Sequence, residues 1–289
     1  MELTELRLAH AALLIAKDAN PKISVLKYLR RIDVMGQDIR ARVSPGLECV
    51  AAPSRVRLDA ILYYLYSELK FQGNSLDYLD PKNNFLNEVI DRRLGIPSTL
   101  SIVLIDLCFQ LGLRATGIEL PRDFVVSVEM DAGAPVIVDP FNGGRILDSI
   151  EIQAWMRSEH WRAQHALDNR AILTRLLADL KHSYWSFKQF DKALPVLERL
   201  LELNPQNISE FRDRGLAYYE TGRFPHALLD LERYMLEMTR SLEKMRSGAN
   251  VGMAPLPTEA LKEFFNERFW LEEMVHRLRV RVPSSPLLH

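Results

Sequence analysis

Residues 91–114 read D-R-R-L-G-I-P-S-T-L-S-I-V-L-I-D-L-C-F-Q-L-G-L-R, a loop that turns into a buried helix. Gly95-Ile96-Pro97 supplies a flexible residue, an apolar one and a proline that pre-sets φ for a first helical turn, and Ser98 or Thr99 can serve the exposed amides there. Between Leu100 and Leu111 only Ser101, Asp106 and Gln110 are polar, so the apolar stripe is far wider than a surface helix needs. The helix, 97–111, is therefore expected at the centre of its domain. Gly112 suits the left-handed position that ends helices, and residues 113–120 read as a turn into a strand.

Working outward, the preceding residues read as helical support. Apolar spacing predicts an amphipathic helix over 2–18, ended by Asn20-Pro21, and a second from Ile23 to Val43, ended by Pro45-Gly46. Lys27, Arg30, Arg31, Arg40 and Arg42 fall on its polar face and read as solvated. A third helix is expected from Ser54 to Phe71. Residues 71–97 are dense in turn formers before a short helix from Phe85 to Arg92. Beyond the central helix, Gly117–Leu120, Phe124–Met130 and Pro135–Val138 read as strands, the last two joined by a hairpin turn at Asp131-Ala132-Gly133-Ala134, and Asn142-Gly143-Gly144 reads as a turn. Helices followed by a small antiparallel sheet, 115–140, make an α+β domain. Residues 150–170 look helical and connective; His160 and His165, five apart, fall on different helix faces and do not form a metal pair.

From 171 onward the chain repeats. Tyr184 recurs as Tyr218, Phe190 as Phe224, Ala193 as Ala227, Leu197 as Leu231 and Glu198 as Glu232, every pair 34 apart (227 − 193). The period, the small residues at helix crossings, Gly215 and Pro205 resemble the tetratricopeptide repeat. Two units, 174–207 and 208–241, need their ends covered, and a long helix over 258–280 is the expected cap.

Composition narrows the function classes. The 289 residues are 47% hydrophobic and 26% charged, and 37 basic against 38 acidic residues leave a formal charge of -1. No global field favours nucleic acid or an anionic membrane. An acidic start and the lack of a membrane-length apolar run predict a cytoplasmic protein. Two cysteines, Cys49 and Cys108, cannot build a disulfide framework, and Cys108 reads as a small buried hydrophobe.

The stretch F-Q-G-N-(x3)-Y-x-x-P-x-N-N-x-L-N-x-V-I-x-R-R-x-G-I-P-(x2)-L-S, then L-G-L, P-x-x-F and V-D-P-F-N-G-G, with the repeats behind it, resembles the bacterial SirB-type transglutaminase-like/tetratricopeptide proteins. The resemblance implies a papain/transglutaminase-like domain, 1–165, with a helical part over 1–92, followed by all-α tetratricopeptide-like repeats, 166–289. It also implies a nucleophile at the N-terminus of the central helix and a histidine and an aspartate on adjacent strands, an arrangement in which helix dipole and histidine lower a thiol's pKa. The cysteine position falls at Pro97, the histidine position at Asp123 and the aspartate position at Asp139, so a thiol-hydrolase mechanism is not expected.

The expected function is therefore a non-catalytic protein-binding or scaffold protein, with a protein or peptide partner at the repeat groove and any regulatory role passing through such partners. The alternative is a hydrolase or amidase using Ser98 with Asp123 and Asp139, with or without a metal. Each residue also has a structural reading: Ser98 and Thr99 as helix caps, Asp139 as a turn anchor, Asp123 as an exposed loop residue. Arg92 and Arg93 are candidates for an anion near the helix start, or for ion pairs with Glu88 or Asp91; Asn142, Tyr184 and Tyr218 complete the candidate binding residues. No cofactor or resident metal is expected, and neither a nucleic acid nor a membrane is expected as a direct partner.

Overall fold

The computed structural model describes residues 7–43, 52–119, 124–148, 150–152, 167–246 and 258–282. The chain divides into two compact units, Met1–Ser183 and Tyr184–His289. That division falls later than the 165/166 boundary expected from sequence, because Ile172, Leu173 and Leu176 of a helix that reads as the first repeat join the core of the first unit.

The first unit is built on α5 (Pro97–Gln110). Around it lie α1 (Leu8–Ala19), α2 (Val25–Val43), α3 (Ser54–Leu62) and α4 (Leu86–Arg92). Every α5 side chain from Pro97 to Cys108 is buried, among Leu13 of α1, Ile32 and Ile39 of α2, Leu58 and Ile61 of α3, and Val89 and Ile90 of α4. Each such aliphatic side chain contributes ~1.5–3 kcal/mol on leaving water, so the wide apolar stripe alone dictates a central position. Phe109 departs from it, standing 74% exposed at the C-terminal end. Gly112 has φ 72, and the Leu113 amide donates to the Cys108 carbonyl at 2.8 Å, closing the helix in the left-handed manner expected.

The sheet is an antiparallel meander of β3 (Ala115–Glu119), β4 (Phe124–Val128), β5 (Val136–Asp139) and β6 (Arg145–Ile146), taken after two earlier strands. Those are β1 (Gln72–Gly73) and β2 (Leu94–Gly95), a parallel pair in register Gln72↔Leu94. Sequence reading finds turn formers and one short helix over 71–97 but neither strand, because two-residue strands carry no periodicity. The third helix also differs from expectation: it continues as a π-helical stretch, Tyr63–Glu68. Asp131 accepts from the Ser54 amide at 2.6 Å and its own amide donates to Ser54 Oγ at 2.9 Å, so the hairpin turn caps α3. His160 and His165 lie outside the described residues.

α6 (Asn169–Ser186) leads from the first unit into the repeats, α7 (Phe190–Leu203), α8 (Ile208–Glu220) and α9 (Phe224–Arg246), followed by α10 (Thr258–Arg281). The repeat is visible in detail. Trp185 meets Phe190 edge-on at 5.1 Å, and 34 residues later (219 − 185) Tyr219 meets Phe224 at 5.8 Å. Both turns place one residue at positive φ, Lys188 at 54 and Gly222 at 74. In both, the next amide donates back at 2.8 Å, Gln189 to the Tyr184 carbonyl and Arg223 to the Tyr218 carbonyl. Ala193 and Ala227 are fully buried, and a side chain at Gly215 would run into Leu231, so α8 and α9 cross closely. α10 is tied to the repeat helices by ion pairs, Arg212 of α8 with Glu267 of α10 at 2.7 Å and Arg279 of α10 with Glu232 of α9.

Candidate functional site

The start of α5 is assembled by backbone. The Asn74 amide donates to the Gly95 carbonyl at 2.9 Å, and the Gly73 amide to the Phe141 carbonyl at 3.1 Å. β1 thus joins the strand leading into Pro97 on one side and the turn after Asp139 on the other. Gly144, at φ 70, lies so close to the Tyr66 ring that any side chain there would collide with it. Burial raises the Tyr66 phenol's pKa, and the nearby Asp139 carboxylate acts in the same direction.

Pro97 is the first residue of α5 and is buried. Thr99 is the cap: its hydroxyl accepts from the Ile96 amide at 3.2 Å and donates to the Asn83 carbonyl at 2.8 Å. Ser98 is not. Its hydroxyl is 0% exposed and donates to Asp179 Oδ2 of α6 at 2.9 Å. Asp179 also accepts from Arg175 Nε at 3.0 Å, and Arg175 reaches Glu119 of β3 at 2.5 Å. Burial raises the Asp179 carboxyl's pKa against the opposing pull of Arg175 and Ser98. Sequence reading missed Asp179, although Arg175 and Asp179 at i, i+4 beside Leu176, Leu177 and Leu180 mark a half-buried ion pair bordering an apolar face.

Asp139 anchors its turn. It accepts from the Phe141 and Asn142 amides, both at 3.1 Å, and from Asn142 Nδ2 at 2.7 Å. Among the described residues no hydrogen bond or ion pair joins Ser98 to Asp139; Asp123 lies outside them. Arg92 does not pair with Glu88 or Asp91. It donates to Asp80 at 2.7 Å and to Asn83 Oδ1 at 2.6 Å, which fixes the 71–97 loop, while Asp91 is taken by Tyr28 and Arg31. Arg93 ends α4 at φ 61. Asn142 is exposed, whereas Tyr184 and Tyr218 are buried in the second unit. Burial pushes the Cys108 thiol up to about 12. No group of three metal-ligating side chains occurs among the described residues, and none of their helices is long and apolar enough to cross a membrane.

A central helix opened by a proline and backed by an antiparallel meander, with two 34-residue helical repeats behind it, matches two family models. The transglutaminase-like superfamily model covers residues 26–178 and the tetratricopeptide repeat model residues 180–247. The chain belongs to the transglutaminase-like superfamily. A UPF0162 protein of Xylella fastidiosa is 34% identical over 80% of this chain and 83% of its own length. SirB1 of Salmonella typhimurium is 27% identical over 62% of this chain and 69% of its own. F-box only protein 21 of Mus musculus is 25% identical over 82% of this chain and 40% of its own. No solved structure matches. In this transglutaminase-like chain the expected nucleophile position is thus a proline, and its neighbouring hydroxyl is sealed against Asp179.

Proposed function

We propose that the protein is a non-catalytic protein-binding scaffold, in which the transglutaminase-like unit has lost its nucleophile and the tetratricopeptide repeats engage a protein or peptide. The observation that carries this reading is the start of α5: Pro97 stands where the family resemblance puts a nucleophile, and Ser98 beside it is wholly buried and bonded to Asp179. An attacking oxygen needs a base beside it and a route for substrate; Asp179 accepts the Ser98 hydrogen, but a hydroxyl with no exposed surface gives substrate no route. Tetratricopeptide repeats supply the complementary argument, since stacked helix pairs present extended surfaces to peptides. In this reading the protein works in the cytoplasm of a bacterium, the kind of organism from which its UPF0162 relatives come, and any regulatory role passes through its partners.

The hydrolase reading, with Ser98, Asp123 and Asp139 as its groups and with or without a metal, has less support, because Asp139 spends its carboxylate on the turn. The test is an amide-hydrolysis and amine-incorporation assay on the full chain. No turnover is expected, and turnover that disappears in Ser98→Ala would overturn the proposal. In parallel, peptides selected by display on the full chain should slow amide hydrogen exchange across α6 to α9. Selected peptides that leave those helices unprotected would remove the repeats as the binding surface.

A further inference from the structure

Asn142 and Gly143, in the turn after β5, form the chain's single Asn-Gly dipeptide; every other asparagine is followed by a residue that carries a side chain. The distinction is chemical. The main-chain nitrogen that follows an asparagine can attack that asparagine's own side-chain carbon, and a side chain on the following residue stands in its way.

The turn leaves that path open. Asn142 is exposed. Gly143 has φ 73, in the left-handed region that favours glycine, and a Cβ built on it would meet nothing within 4 Å. Its amide donates to no group among the described residues, so it is free to lose its proton to water. Asp139 accepts from Asn142 Nδ2 at 2.7 Å and so holds the side-chain amide by its nitrogen, while the amide oxygen accepts no bond among the described residues. Asn74, followed by Ser75, is held at both ends instead: its Nδ2 donates to Asn83 at 3.1 Å and its Oδ1 accepts from the Asp77 amide at 3.2 Å.

We propose that Asn142 is a site of spontaneous deamidation, which places a new negative charge, and in the isomerised product an extra main-chain carbon, in the turn that Asp139 anchors. The deprotonated Gly143 nitrogen bonds to the Asn142 side-chain carbon, the bond from that carbon to Nδ2 breaks, and ammonia leaves with protons taken from water. Water then adds to one or other carbonyl of the five-membered imide and opens it to aspartate or isoaspartate. The new carboxylate replaces a donor to Asp139, so two like charges face each other where a hydrogen bond stood. The isomerised chain lengthens next to Phe141, whose carbonyl accepts from the Gly73 amide at 3.1 Å. Deamidation therefore loosens the hold of this turn on β1, beside the start of α5, and does so whether or not the protein is a scaffold.

The test follows the full-length protein over weeks at pH 8, folded and in urea, by mass-spectrometric mapping of the peptide that carries Asn142. Deamidation raises the peptide's mass by one unit and splits it into aspartate and isoaspartate forms, the second of which isoaspartyl methyltransferase labels. In the folded chain Asn142 is expected to convert at least about tenfold faster than Asn74, and within about threefold of its own rate in urea. Gly143→Ala should slow conversion at least about tenfold, because the new Cβ hinders the attacking nitrogen, with a melting curve to check the fold. Should that variant not fold, the folded and urea rates of the unaltered chain decide. Aged protein should also exchange the Gly73 amide faster than fresh protein. Asn142 left intact in the folded chain while the urea sample converts would overturn the assignment, and so would equal conversion of Asn74. Undiminished conversion in a folded Gly143→Ala variant would exclude the cyclic route and overturn it as well. Unchanged exchange at Gly73 in fully converted protein would overturn the loosening of β1.

Discussion

At the residue scale the decisive contact is Ser98 to Asp179. Ser98→Ala would leave the half-buried Asp179 carboxylate with one donor fewer, and losing such a bond costs about 0.5–1.5 kcal/mol, so the variant should unfold at correspondingly lower urea. Burial raises the Asp179 carboxyl's pKa above the ordinary aspartate value. The folded state therefore binds this proton more tightly than the unfolded chain does. Its contribution to stability is greatest below pH ~4 and falls as pH rises through the raised folded value. Asp179→Asn should flatten that part of the stability profile, measured as urea midpoints across the acid range. An unchanged slope would mean that other carboxylates carry it. Arg7 makes the other deep pairing, two bonds of 2.6 and 2.5 Å to Asp106, whose side chain is 1% exposed. Asp106 also draws the Arg7 guanidinium's pKa upward. Arg7→Leu should cost about 3–5 kcal/mol by stranding the carboxylate, and Asp106→Asn in the same background should recover part of it in a double-mutant cycle.

Among the elements, the repeat turns offer a test that runs the other way. Lys188 and Gly222 occupy equivalent positions at φ 54 and 74, yet only one is glycine. A non-glycine residue in this region carries a penalty of roughly 1–2 kcal/mol. Lys188→Gly should therefore stabilise the second unit by ~0.5–1 kcal/mol, and Gly222→Ala should destabilise it by a similar amount, both read from thermal midpoints. The same scale explains what the sequence made legible. The width of the α5 stripe announced a central helix, and the 34-residue period announced α6 to α9, because each is a regular pattern repeated over many residues. The β1–β2 pair and the π-helical stretch were invisible, since neither has a period of its own.

For the whole molecule, the buried thiol is a reporter. Cys108 sits at the centre of the first unit with its pKa pushed up to about 12 by burial. In a Cys49→Ser background it should be inert to a disulfide reagent at pH 8 and become reactive only along the urea transition of that unit. Reaction at the rate of a free thiol in native buffer would mean that the core around α5 opens far more readily than its packing implies.

The division of the chain was half legible. Sequence placed the boundary at 165/166, ahead of the first repeat unit, but α6 commits its first half, Ile172, Leu173 and Leu176, to the core of the first unit. A repeat helix and a core helix share one 3.6-residue period, so nothing in the pattern says which neighbour an apolar face will find. The sequence by itself determined a buried central helix opened by proline, a meander behind it, and two helical repeats, all dictated by spacing and residue type. The turn that Asp139 anchors was legible in the aspartate before Pro140, whereas only the tertiary structure decided that Ser98 meets Asp179 and that Arg92 holds Asp80 and Asn83 rather than Asp91. Those pairings join residues up to 81 positions apart, and a hydrogen bond between distant residues depends on how elements pack, which no local pattern encodes.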